Sequence, residues 1–384
     1  MLNTLLKYLR LALPICLVAP LLGACDSAIY DEEGDCDIHY RLKFAFDYNL
    51  LFTDAFTSQV HSVGVYAFDA ETGLFAWQRE ESGEQLDRDG YLMNLDGVAP
   101  GKYRVIAWCG LDNERLDPTR PESFILPTLT PGVSTMADLT CRMERERDAA
   151  DAAHSSADLW SLYHGMVVDP LSLDPIDMEI IDPNSLEADG QTITYVAKLK
   201  KDTNRVRVIL QQLGGQDIDA ENFSYTIEAS NGLMAHDNEL LADEKITFHP
   251  HSQGFGMAGV DLNGRTSVAD SRDGDSDPAF TPVKVAIADL TIPRMVKDHP
   301  TTLTVYAPDG SVSARIPLVD YAILAAATEI FYKDGKPYPM GDQEYLDRED
   351  SHTLTFFLDR NKNWQAVSLQ ILSWRQVFNH VTID

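Results

Sequence analysis

Leu22-Gly23-Ala24-Cys25 sets a thiol directly behind two small residues and an apolar run, Leu11 to Leu22, that Pro14 and Pro20 interrupt. Lys7 and Arg10 precede that run. Basic, apolar, small is the order of a secretory signal. Gly23 and Ala24 fit a narrow peptidase subsite. Other candidate chemistry fails on spacing. Gly254-Phe255-Gly256-Met257-Ala258-Gly259 matches GxGxxG, but Val260-Asp261-Leu262-Asn263-Gly264 is too poor in helix formers to hold a pyrophosphate on a helix N-terminus. Asp273, Asp275 and Asp277 alternate as calcium ligands do, yet Pro278 and Lys284 stand where such a loop needs Gly and Glu, so a solvated acidic loop is expected. No GxSxG, HExxH or CxxC occurs. His164 reads as a strand or turn histidine satisfied by backbone. With 60 acidic residues, chance supplies many carboxylate pairs. No enzyme, metal site or cofactor is expected.

The run before Cys25 is about a dozen residues, short of the roughly 20 needed to span a bilayer. With Leu22 three residues before the cysteine, the segment resembles a bacterial lipobox. Residues 1–24 are then a removed signal peptide, and Cys25 carries covalent lipid. Each buried methylene contributes about 0.8 kcal/mol, so several acyl chains anchor stably. Removing 24 of 384 residues leaves 360, enough for two domains. Losing Lys7 and Arg10 takes the net charge from −29 to −31. Such a charge repels phosphate and excludes nucleic acid as a partner.

Residues 25–37 are acidic and read as a tether. Within it Asp31-Glu32-Glu33 resembles the acidic surface-export signals of Bacteroidales lipoproteins, and a solvated linker is the equal alternative. From Ile38 to Phe46 the period is two, the mark of a half-buried strand. Val63 to Ala67, the turn at Asp69 to Gly73, Tyr91 to Leu95, Tyr103 to Trp108 and Ser134 to Cys141 continue a strand-and-turn style. Arg142 to Ala153, charged and Ala-rich, reads as one helix or an ordered excursion. Residues 38–168 form a first β-sandwich. Residues 169–190, with Pro170, Pro175 and Pro183 among acids, form a linker. Residues 191–384 form a second sandwich, with strands near 192–199, 206–210, 223–227, 283–290, 303–306, 312–317, 353–358 and 367–374. Asp320 to Ile330 is its helix, and 250–282 is a long loop. The fold class is all-β: two antiparallel sandwiches with one or two short helices.

Several stretches then align in order: Leu42-Lys43-Phe44, Val65 to Asp69, Gly101 to Trp108, Ser161 to Gly165, Lys201 to Val208 and Val367 to Trp374. This series resembles the fimbrillin-A-associated anchor proteins of Bacteroidales type V pili. The resemblance implies transthyretin-like sandwiches, an outer-membrane lipid anchor and a place at the base of a fimbrium. There such a protein holds the shaft pilins, by strand exchange at a sheet edge, and limits shaft length. Of Cys36, Cys109 and Cys141 at most one bridge can form, and the spacing does not choose among three pairings. A Cys109–Cys141 bridge is one candidate and departs from the family pattern. Other fimbrial subunits, tip or shaft, share much of this pattern. The rival from another class is a surface lipoprotein that binds glycan or host protein; it predicts exposed aromatic platforms, for which Trp77, Trp160 and Trp364 are the candidates.

Overall fold

The alternation that begins at Ile38 becomes strand. The computed structural model describes residues 38–181, 192–260, 266–267, 281–327, 329–361, 364–371 and 374–379. Strands of five or more residues are β1 (His39–Ala45), β2 (Ser62–Asp69), β3 (Phe75–Ser82), β4 (Gly101–Cys109), β5 (Tyr163–Val168), β6 (Thr192–Lys201), β7 (Thr203–Gln212), β8 (Ser224–Ala229), β9 (Ser252–Val260), β10 (Thr281–Pro293), β11 (Thr302–Tyr306), β12 (Val312–Pro317), β13 (Ser351–Leu358), β14 (Trp364–Ile371) and β15 (Trp374–Asn379). The α-helices are α1 (Phe56–Gln59), α2 (Leu318–Ala326) and α3 (Asp342–Arg348). The protein is an all-β sandwich with short helices.

The first sheet runs β3-β2-β4-β5-β6-β1. The second runs β9-β10-β7-β13-β14-β15, with Thr266–Ser267 beside β9. The third runs β12-β11-β8, followed by Ile246–Phe248, Ala153–Ser155 and Glu146–Arg147. Most pairs are antiparallel. β7 pairs β13 in parallel, Val208 opposite Leu354, and Thr247 lies parallel to His154. Two compact units result. The larger is Leu42–Met93, Gly101–Glu179 and Tyr195–Asp384. In the smaller, the Tyr40 carbonyl accepts from Leu95 N–H at 2.9 Å, and the Tyr40 hydroxyl accepts from Ile181 N–H at 2.9 Å.

Within the larger unit one continuous core joins Tyr66, Ile106 and Trp108 of the first sheet to Val206, Val208 and Leu290 of the second and Tyr225, Ile227 and Val305 of the third. Each fully buried large apolar side chain contributes about 1.5–3 kcal/mol. Past Arg104, the apolar run Val105 to Trp108 is covered on both faces, since Val105 and Ala107 are as buried as Ile106 and Trp108. β6 pairs β5 from Val196 to Lys201, and one residue later β7 begins in the second sheet. Within the proline-marked stretch after Val168, Pro175 bridges Val168, and Asp177 pairs Arg104 at 2.6 Å.

Three elements differ from the sequence expectations, and a fourth takes one of its two expected forms. The strand expected over Ser134 to Cys141 is a 3-10 turn at Met136–Asp138, and strand begins only at Cys141. Arg142–Ala153 takes the excursion form: Cys141–Met143 pairs Leu233–Met234 and Phe124–Ile125, and Arg145, its side chain 8% exposed, meets Asp243 at 2.9 Å. Tertiary contacts override the helical propensity of its alanines. The expected loop at 250–282 begins as β9, nine residues paired along β10. The strand expected over 91–95 is reduced to Met93–Asn94. Helix α2 lies where Ala and Leu predict it, while α3, lacking an apolar run, carries no such signal.

Gly165 sits where β5 and β6 come closest: a Cβ there would lie 2.4 Å from the Lys198 carbonyl oxygen. Gly165→Ala is expected to cost about 1–3 kcal/mol, read as a lower urea midpoint. An unchanged midpoint would refute this close approach.

Candidate functional site

The face of the first sheet that buries Tyr66, Ile106 and Trp108 changes character at β6. Register places Met166 opposite both Ile106 and Lys198, and His164 opposite both Trp108 and Lys200. Ala197 and Leu199 point to the other face and are buried, so Lys198 and Lys200 fall on this one. There they line a cavity of about 560 Å³. Two of its walls come from distant chain: Tyr48 and Phe52 from the segment after β1, and Arg348 from the end of α3. Arg348 stacks on both rings, its guanidinium carbon 3.9 Å from the Tyr48 centroid and 4.5 Å from that of Phe52. Its Nε donates to Glu344 at 2.8 Å, and Nη1 donates to the carbonyls of Asp47 at 3.3 Å and Asn49 at 3.2 Å. Lys198 pairs with Asp47, and Lys200 with Asp347 at 3.2 Å. Burial, with Asp347 and Glu344 nearby, pushes the Tyr48 hydroxyl up to about 12, so it stays protonated.

Beneath this cavity lies a buried polar network. Arg294 Nε and Nη2 grip the Asp347 carboxylate at 2.9 and 3.0 Å, a bidentate pair. Gln343 Nε2 donates to Asp347 at 2.8 Å. Asp202 lies 4.0 Å from Arg294 and accepts from Asn238 Nδ2 at 2.9 Å. Burial outweighs that cation and lifts the Asp202 carboxyl to about 7. His164 is pushed down to about 4 by burial and is neutral. Its Nε2 donates to the His236 carbonyl at 2.9 Å, the backbone satisfaction expected of it. The arrangement supplies cations, flat rings and apolar walls, which suit recognition.

The sheets also present edges. β3, β12 and β15 end their sheets among the described residues. β3 carries Arg79, Glu80 and Glu81, and β12 closes on Pro317; charges and proline blunt strand addition. The β15 sequence, Trp374-Arg375-Gln376-Val377-Phe378-Asn379, has one charge and no proline.

Leu22, Gly23, Ala24, Cys25, the tether and Asp273, Asp275 and Asp277 lie outside the described residues. Cys109, on β4, and Cys141 are buried with free thiols, and burial pushes both upward. Gly254, Gly256 and Gly259 are strand residues of β9; at Gly256 a Cβ would crowd Ile287 Cδ1 at 2.6 Å. Trp364 is buried against Phe356, and Trp77 and Trp160 are half-buried, the latter under Arg120 at 3.8 Å. None of the three is an exposed platform. Sequence reasoning missed Tyr48, Phe52, Lys198, Lys200 and Arg348. The available signal was Lys198 and Lys200 at period two in an otherwise half-buried strand.

The family model for fimbrillin-A-associated anchor proteins Mfa1 and Mfa2 matches residues 32–380. The chain belongs to that anchor family. No curated protein matches it. It is similar to two solved Bacteroides thetaiotaomicron proteins, one described as a candidate polysaccharide-binding protein (27% identity) and one as a candidate adhesin (28%). For each, the TM-score is 0.66, and the match covers 90% of this chain and 99% of the other. It is also similar in fold to the fimbrial anchor protein Mfa2 from Porphyromonas gingivalis, at TM-score 0.57 and 17% identity over 88% of this chain and 99% of that one. Membership of the anchor family makes this a fimbria-associated protein of the cell surface, one that associates with other fimbrial subunits.

Asp202 supports a pH prediction. Its folded value near 7 exceeds the unfolded value of about 3.9, so its contribution is full below about 4 and is lost as pH rises through 7. Urea midpoints of the parent and Asp202→Asn at pH 5, 6.5 and 8 should show the parent losing stability relative to the variant as pH rises. A pH-independent difference would contradict this.

Proposed function

We propose that this chain is the outer-membrane lipoprotein that anchors the base of a fimbrium and limits shaft length. The observation that carries the reading is the family match over residues 32–380. The sequence supports the anchor: Cys25 follows Leu22-Gly23-Ala24, and acyl chains on one residue transmit pulling force to a bilayer. Residues 25–37 then act as the tether between lipid and body. No α-helix among the described residues is long and apolar enough to cross a membrane.

The physical device is strand exchange. An edge strand offers a row of unpaired backbone groups, and a strand from a shaft pilin completes it, with main-chain hydrogen bonds for strength. β15 is the edge that sequence leaves least protected. An anchor that occupies the basal exchange site of the shaft both holds it and ends its growth. A second reading, a surface lipoprotein that binds glycan, draws on the Bacteroides thetaiotaomicron relative described as a candidate polysaccharide-binding protein. The burial of Trp364 and the half-burial of Trp77 and Trp160 count against it.

Cells carrying Cys25→Ala should release fimbriae into the medium, and their shafts should be longer than those of the parent. Electron microscopy and quantification of shed shafts read both. Unchanged length and attachment, with the variant protein confirmed off the membrane, would defeat the anchor reading and favour the glycan binder.

A further inference from the structure

The cavity on β5 and β6 has as part of its rim the turn that follows β5. Between Val168 and Pro175, the Asp169 carboxylate accepts from the N–H groups of Leu171 at 2.9 Å and Ser172 at 2.8 Å. The Asp169 carbonyl accepts from Leu173 N–H at 2.9 Å. This locked turn, with Pro170 and Pro175 at its ends, holds Leu171 93% exposed and Leu173 56% exposed. Both leucines line the cavity. A turn held by this many hydrogen bonds cannot fold its leucines away from water, so their exposure is built in.

The polar lining is equally incomplete. Lys198, Lys200, Lys333 and Arg348 face Asp47 and Asp237, four cations to two carboxylates, in a chain whose net charge is −29. Lys198, Lys200 and Arg348 are matched by Asp47, Asp347 and Glu344. Lys333 lies 5.5 Å from the Phe52 ring and 5.6 Å from that of Tyr338, with no carboxylate in salt-bridge range among the described residues. A complementary occupant therefore offers an anion for Lys333 and aliphatic surface for Leu171 and Leu173. An extended peptide with an acidic residue beside a branched aliphatic one offers both. A neutral glycan lacks the anion and the aliphatic surface. The volume, about 560 Å³, suits a few side chains.

We propose that this cavity docks an acidic–aliphatic segment of a neighbouring fimbrial subunit, the carboxylate meeting Lys333 and the aliphatic side chain packing on Leu171 and Leu173. The proposal rests on the fimbrial reading and adds a second contact to the sheet-edge one.

The test uses the full chain in fimbriated cells. Benzoylphenylalanine is placed at position 171 and, separately, at position 377 of β15; cells are irradiated and the crosslinked peptides sequenced. Position 171 should capture a fimbrial subunit through a segment with Asp or Glu within two residues of Leu, Ile or Val. Lys333→Glu should cut that yield about fivefold, with Lys333→Gln intermediate and capture at 377 retained. Capture at 377 but none at 171, capture at 171 through a segment without a carboxylate, or a yield unchanged by Lys333→Glu would overturn the pocket and leave the fimbrial reading standing. Capture of a subunit at neither position would remove both.

Discussion

The passage of one strand between two sheets at Asp202 is the constraint on which the rest of the larger unit depends. β6 ends at Lys201 in the first sheet, and β7 begins at Thr203 in the second. One residue makes the transfer, so its backbone and side chain are both buried. Its N–H reaches the Leu162 carbonyl at 2.8 Å, and its carboxylate reaches Asn238. A buried carboxylate is costly: here burial outweighs Arg294, 4.0 Å away, and raises the Asp202 carboxyl to about 7, while Asn238 donates a hydrogen bond to it. Arg294 in turn is held bidentately by Asp347, which brings the end of α3 beside Lys200. A short link between sheets therefore sets the position of a helix about 145 residues away.

The same geometry explains why the cavity exists. The first sheet is covered on both faces through β2, β4 and β5, where apolar residues stand on each side. At β6 the cavity face turns cationic, and Lys198 and Lys200 are tolerated because each finds a carboxylate, Asp47 and Asp347. Long lysine stems can lie along apolar wall while their ammonium heads reach those partners. The aromatic rings of Tyr48 and Phe52 then sandwich no apolar neighbour but the Arg348 guanidinium, a cation–π arrangement that stiffens the wall.

Family membership and geometry speak to different questions. The match over residues 32–380 connects the chain with fimbrial anchors, and the similar solved structures share its fold. The cavity, the locked leucine turn and the buried Asp202 network come from this chain's own residues.

Local patterning alone determined most strands: from Ile38 to Phe44 and from Val206 to Val208 every second side chain is buried, while Val63 to Ala67, apolar throughout, is buried on both faces. The Ala- and Leu-rich helix α2 was equally legible. What escaped sequence reasoning was whatever depends on a partner distant in the chain. The composition of Arg142–Ala153 leaves it between helix and excursion, and pairing of its first residue with Leu233 decides for the excursion. β9 looks like a glycine-rich loop until β10 pairs along it. Lys198 and Lys200 look like solvated lysines, because nothing near them announces that Asp47, Tyr48 and Arg348 will enclose them. Period and composition report the preferences of neighbours along the chain. Parallel pairing, cavity walls and buried ion pairs join residues 100 to 300 positions apart, and only the tertiary fold brings those together.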